Sequence, residues 1–180
     1  AGAIGFGGMF ALYSYIASVV TEIGGLPDGA VPVFLLAFGL GMVAGTWVAG
    51  ALADWSVYRS LLGSSLAMAL FLLAYAALAP AGWWALAPAC LVAVSSSVLV
   101  VNLQLRLMAV AGEAQTLGAA MNHSSLNIGN ALGAWVGGLV IAAGWGYRAP
   151  SLVGAGLALL GLGVLVLSAH VHRRTSVTVG

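Results

Sequence analysis

The chain has 180 residues, of which only nine are Asp, Glu, Lys or Arg; these make up 5%, beside 62% hydrophobic residues, 26 Gly and a net charge of +1, with a mean hydropathy of +1.11. Soluble domains carry about 25% charged residues, so this chain cannot coat a water-facing surface and its composition is that of a bilayer protein. The five cations are all Arg and scattered, which excludes an electrostatic footprint for nucleic acid. The lone Cys90 offers no disulfide or thiolate metal framework, and no cofactor is expected. Ala1 opens inside an apolar run, without the basic start of a signal peptide. The expectation is a start cut from a longer chain.

A helix needs about 20 mostly apolar residues to cross a hydrocarbon core roughly 30 Å thick. Six segments meet that test, running from Ala1 to Val20, Val31 to Ala53, Ser60 to Leu78, Trp84 to Leu105, Leu117 to Ala143 and Ser151 to Ala169. They lack the alternation of barrel strands, and lipid requires backbone groups to be satisfied within the segment, so helices are expected. Pro27, Pro32, Pro80, Pro88 and Pro150 fall in connections or first turns, where a missing N–H costs little. Arg59, Arg106, Arg173 and Arg174 collect on one side of these spans and Arg148 alone on the other. That bias places the Asp54 and Glu113 turns and the carboxyl tail in the cytoplasm of a cell with this chain in its inner or plasma membrane.

The second span carries Gly41, Gly45, Trp47, Val48 and Gly50, and the fifth carries Gly129, Gly133, Trp135, Val136 and Gly138, so both read G-x-x-x-G-x-W-V-x-G at an offset of 88 residues. Alternating spans run in opposite directions, so the two copies are antiparallel. This is the mark of inverted three-helix repeats, a device of secondary transporters. The expected fold is an all-α membrane protein of six transmembrane helices, with repeat one over 1–80, repeat two over 84–170 and a cytoplasmic tail over 171–180. Taken alone, Gly41, Gly45, Gly129, Gly133 and Gly137 are helix-packing residues that let backbones approach closely.

The fifth span is polar where the second is apolar: Asn122, His123, Asn127 and Asn130 align with Phe34, Leu35, Gly39 and Met42. His123, Asn127 and Asn130 are spaced i, i+4, i+7 and share a face. Against lipid such a stripe is costly, so it faces either a water-filled substrate pathway, where His123 could exchange a proton, or a neighbouring helix that it hydrogen-bonds. In the first span Phe6, Phe10 and Tyr13 share a face by the same spacing, suited to packing or to an amphipathic ligand. Ser95, Ser96 and Ser97 read as hydroxyls bonded to their own helix, and Asn102 and Arg106 as an i, i+4 polar pair at the cytoplasmic side.

The turn Gly50-Ala51-Leu52-Ala53-Asp54, followed by Arg59, resembles the G-x-L-A-D-R-x-G-R-K loop of the major facilitator superfamily. Trp55, Val57 and Tyr58 depart from that loop at a basic, a Gly and an Arg position. Tyr13-Ser14-Tyr15-Ile16-Ala17 and the N-I-G-N-A-L-G-A-W-V-G-G stretch within Asn122 through Gly138 are similar to its drug:proton antiporter branch, which includes chloramphenicol-resistance and arabinose-efflux-like permeases. The resemblance covers the carboxyl-terminal half of such a transporter. It implies a conformational latch of Gly50, Asp54 and Arg59, with Asp54 near the amino end of a facing helix. It also implies a substrate cavity reached by Phe10 and Tyr13 and flanked by Asn127 and Asn130, shared with a missing amino-terminal six-helix half or a second copy. The membrane carboxylates of these antiporters lie in the other half, so the resemblance names no proton carrier here.

The function expected is secondary transport of a small amphipathic compound in exchange for protons. An intramembrane enzyme would need a nucleophile with its base or a metal cluster; His123 and Ser124 are adjacent and so diverge by about 100° on a helix, and neither G-x-S-x-G nor H-E-x-x-H occurs. His170 and His172 lie beside Arg173 and Arg174 in a tail suited to anionic lipid. A non-transporting six-helix membrane module is the remaining alternative.

Overall fold

The computed structural model describes residues 2–177, with side chains from Ala3 to Ser168. Among the described residues every regular element is helical. Helix α1 (Gly2–Tyr13) breaks at Ser14 and Tyr15, and the chain resumes as α2 (Ile16–Ser18) running into a π turn, Val19–Ile23. The two parts are bent by 44°. A 3₁₀ turn, Asp28–Ala30, leads into α3 (Val31–Leu78), and the 3₁₀ segment Ala79–Ala85 leads into α4 (Leu86–Ala111). The turn Gly112–Ala114 precedes α5 (Gln115–Ala142), and α6 (Ala149–Val177) closes the chain.

Two stretches are long and apolar enough to cross a membrane, Asp28–Ala142 and Ala149–Ser168, and the bent pair at the start forms a third if it is one span. The first stretch, at 115 residues, would reach roughly 170 Å as a straight helix. It is instead divided at three points. Ser56 leaves helical geometry (φ −173°, ψ 109°) and caps the next helical turn, its Oγ accepting from the Arg59 N–H at 3.3 Å. Gly82 (φ 62°) and Gly112 (φ 55°) adopt left-handed backbone that a side chain would strain. The break at Ser56 lies inside the loop expected between Ala53 and Ser60, giving α3 a first and a second arm. The prolines sit as expected: Pro32 is the second residue of α3, Pro80 the second of its 3₁₀ segment, Pro88 the third of α4 and Pro150 the second of α6.

The ends differ from expectation by a few residues. The backbone of α6 stays helical to Val177, so residues 171–177 continue that helix. Residues 178–180 lie outside the described residues, as do the side chains of His170, His172, Arg173 and Arg174, on which two of the orientation charges depend.

Contacts at glycines give the helix directions. A Cβ built on Gly41 would lie 2.6 Å from the Cys90 carbonyl oxygen, and one on Gly45 2.6 Å from that of Val94. The first arm of α3 therefore runs parallel to α4. Likewise a Cβ on Gly129 would lie 2.7 Å from the Ala3 carbonyl oxygen, and Gly133 meets the Gly7 carbonyl, so α5 runs parallel to α1. Tyr13 packs at a tilt against Phe38, whereas Phe6, seven residues earlier, lies level with Met42 and Thr46. Helix α1 is thus antiparallel to the first arm of α3, and that arm is antiparallel to α5. Trp47 and Trp135, matched in the two glycine patterns, both point away from the bundle, 81% and 64% exposed. The interior is closed by Phe34, Phe38, Leu61, Met68, Leu72 and Tyr75.

Candidate substrate pathway

A cavity of about 280 Å³ lies where α1, the first arm of α3, α4 and α5 converge, lined by residues including Phe6, Met42, Thr46, Ser96, Ser97 and Leu126. No charged side chain is among its lining residues. Thr46 donates its hydroxyl proton to the Met42 carbonyl at 2.9 Å, and Ser96 donates to Ala93 at 2.8 Å. These i−4 and i−3 bonds satisfy the donors within the helix. What remains toward the cavity is the hydroxyl oxygens and the hydroxyl of Ser97, unpaired among the described residues, on an apolar wall, a surface for an apolar molecule with a small polar group.

The aromatic stripe of α1 is continuous with this cavity. Phe6 and Phe10 meet edge to face, with centroids 5.1 Å apart, and Phe10 meets Tyr13 the same way at 6.4 Å. Tyr13 is 43% exposed and lies 5.2 Å from the Phe38 ring. Phe10 and Tyr13 do not line the cavity; Phe6, at the inner end of their stripe, does. His123, Asn127 and Asn130 are exposed on α5. Leu126, immediately before Asn127, reaches the cavity in their place. Among the described residues none of the three polar side chains has a hydrogen-bond partner. Asn122 behaves differently: it is fully buried, with both amide atoms unpartnered.

At the opposite end of the first arm, Gly50 has open space around it and Asp54 is exposed. No ion pair joins Asp54 to Arg59 among the described residues. The Arg59 guanidinium instead stands 5.2 Å over the Trp55 ring, and Arg106 stands 5.6 Å over Tyr58, as cation–π pairs. Two of the positions that depart from the resembled loop thus supply aromatic faces for arginines. The packing glycines Gly41, Gly45, Gly129, Gly133 and Gly137 are all buried at helix crossings.

Of the lining residues, Met42, Thr46 and Leu126 were not singled out for the pathway, two of them being plain apolar side chains, and Ser97 was expected to bond its own helix. Thr46 carried the available signal, a hydroxyl beside Gly45 in an otherwise apolar span. Ser95 and Ser96 are bonded within their own helix as expected, while Ser97 is not.

No protein-family model matches the chain. It is 37% identical over 172 residues to the inner membrane transport protein YdhP of Escherichia coli (strain K12), covering 96% of this chain and 44% of that protein. It is 30% identical over 171 residues to YfhI of Bacillus subtilis (strain 168), named as an MFS-type transporter, covering 94% of this chain and 42% of YfhI. AraJ of Escherichia coli (strain K12), named as a transporter, is 28% identical over 171 residues, or 94% of this chain and 43% of AraJ. All three names are those of transport proteins, and that of YfhI supports the major facilitator superfamily for this chain. The chain spans less than half the length of the curated relatives it matches.

Proposed function

We propose that this chain is the carboxyl-terminal six-span half of a secondary transporter of the drug:proton antiporter branch, built from two inverted three-helix repeats and working by alternating access. The observation that carries the reading is a match in packing register. Gly41 and Gly45 meet Cys90 and Val94, and their counterparts 88 residues on, Gly129 and Gly133, meet Ala3 and Gly7, themselves 87 residues before Cys90 and Val94. A pseudo-twofold exchange of the repeats would produce that correspondence, and the antiparallel course of the first arm of α3 and α5 supports its being inverted. The transporter names of relatives more than twice as long support the half-length assignment.

In this reading the half sits in the inner or plasma membrane with its carboxyl terminus cytoplasmic. The open face of α5 bearing His123, Asn127 and Asn130 joins Phe10 and Tyr13 in bordering a pathway completed by an amino-terminal six-helix half or a second copy. The cargo is a small amphipathic compound, exported in exchange for protons, and Gly50, Asp54 and Arg59 form the cytoplasmic latch. Export of a lipophilic dye from cells expressing the complete gene product tests it, comparing wild type with Asn127→Leu and Asp54→Ala. Both variants are expected to export less at equal expression, and collapse of the proton gradient should stop the wild type. Unchanged export in both variants would remove the pathway and latch assignments, and absence of wild-type export would favour a non-transporting membrane module.

A further inference from the structure

The register that relates the glycine contacts also relates two side chains that cross between helices, although their acceptors differ by one helical turn. Tyr15 donates its hydroxyl to the Ala134 carbonyl at 2.6 Å, and its ring fills the notch at Gly137, where a Cβ would lie 2.6 Å from Cε2. Asn102, 87 residues after Tyr15, donates from Nδ2 to the Ala49 carbonyl at 3.5 Å as well as to Val98 at 2.9 Å. Ala49 is 88 residues before Gly137, on which the Tyr15 ring packs, whereas the Tyr15 acceptor Ala134 lies one turn earlier on the helix. Each side chain crosses from one helix of a parallel pair to the backbone of the other. Because α1 and the first arm of α3 are antiparallel, the two bonds lie at opposite ends of the bundle.

Each pair is also glycine-packed along its length, and no hydrogen bond joins α1 or α5 to α4 or the first arm of α3 among the described residues. The cavity lies in that seam, with Phe6 and Leu126 on one side and Met42, Thr46, Ser96 and Ser97 on the other. We infer that Tyr15 and Asn102 are matched staples, each holding a parallel helix pair together at one end, so that flexing within this half is confined to the seam through the cavity. The inference rests on the inverted-repeat reading of the proposed function. The staples are positioning residues that keep the cavity's two walls intact while the distance between them changes.

Hydrogen–deuterium exchange of the complete gene product in lipid nanodiscs tests it. Tyr15→Phe removes the hydroxyl and keeps the ring; it should speed exchange on α5 near Gly138 and at the α1 bend roughly fivefold, the factor for one hydrogen bond, and leave the turn after Ala49 unchanged. Asn102→Leu should do the reverse, at the Ala49 turn only. Gly138→Ala, whose Cβ would stand 2.9 Å from the Tyr15 hydroxyl, should reproduce Tyr15→Phe. Ser65→Ala, which loses a bond made only to its own helix, should loosen neither end. Loosening of both ends by either variant, or of neither, would overturn the staples. Dye export by the wild type is scored separately: its absence strikes the transporter reading, while the exchange pattern still decides the staples.

Discussion

Gly45 and Gly133 provide a direct test of the packing on which this half depends. A Cβ at Gly45 would stand 2.6 Å from the Val94 carbonyl oxygen, 2.8 Å from Val94 Cα and 2.8 Å from Ser97 Cβ. Two of these are backbone atoms that cannot rotate away. Ordinary contact would require the helices to separate by most of an ångström along the crossing, and overpacking of this kind costs about 1–3 kcal/mol. Alanine recovers up to ~1 kcal/mol of helix propensity, so Gly45→Ala should lose up to about 2 kcal/mol net, or up to ~3 °C in the thermal midpoint of a chain more than twice this length. Gly133 meets Gly7 and would stand 2.9 Å from the Ala11 nitrogen, so Gly133→Ala should lose a similar amount. Gly39 and Gly63 have nothing within 4 Å of a Cβ, and their alanine variants should be unchanged or slightly more stable. The assay is thermal unfolding of the complete gene product in one detergent, monitored with a thiol-reactive fluorophore. Equal midpoints across the four variants would refute the close-approach account, and a loss at Gly45 without one at Gly133 would count against the matched registers.

Asn122→Leu should raise the same midpoint, because it removes an amide buried with both atoms unpartnered, a burden of about 1–3 kcal/mol; a fall would show that the amide is satisfied in the membrane. Arg148→Ala should lower it by about 1 kcal/mol in unfolding free energy, since the Arg148 Nε donates to the Ala76 carbonyl at 2.7 Å near the end of α3; no change in the midpoint would make that contact incidental. Ser56→Ala should cost about 1 kcal/mol as a lost helix cap, read as faster amide exchange over residues 57–60 and no change at Gly82.

Much of the bundle was legible because the bilayer leaves few solutions. Apolar length located the helices, and the prolines fell at their beginnings. The glycine pattern named the crossings because helices in lipid gain little from hydrophobic burial and must associate by close packing. The bend at Ser14 and Tyr15 was not legible. No proline or glycine marks it, and its contact partner is the notch at Gly137 on a helix 119 residues away at the bonded Ala134. The division of the polar residues on α5 was also hidden. Helical spacing correctly put His123, Asn127 and Asn130 on one face, but only packing against neighbouring helices turns Asn122 inward. The cavity was the least legible feature, since its wall is made of residues a sequence reading assigns to ordinary packing.

The exposed surface of α5 and of the first arm of α3 carries two kinds of face, and their costs in lipid differ. Trp47 and Trp135 stand outward at matched positions and can remain against acyl chains or at their polar boundary. His123, Asn127 and Asn130 also stand outward, with no partner among the described residues, and each polar group left in hydrocarbon without a hydrogen bond costs on the order of a few kcal/mol. Three on one stripe approach the whole net stability of an ordinary domain, about 5–15 kcal/mol. That stripe therefore favours contact with water or polypeptide, whereas the tryptophan faces do not require it. The asymmetry supports one side of α5 bordering the proposed pathway, even though neither Asn127 nor Asn130 lines the cavity of this half. It also separates two roles on a single helix: Gly129 and Gly133 fix α5 against α1 with no gap, and the polar stripe, roughly 100° round the helix from them, is left free to meet water or polypeptide.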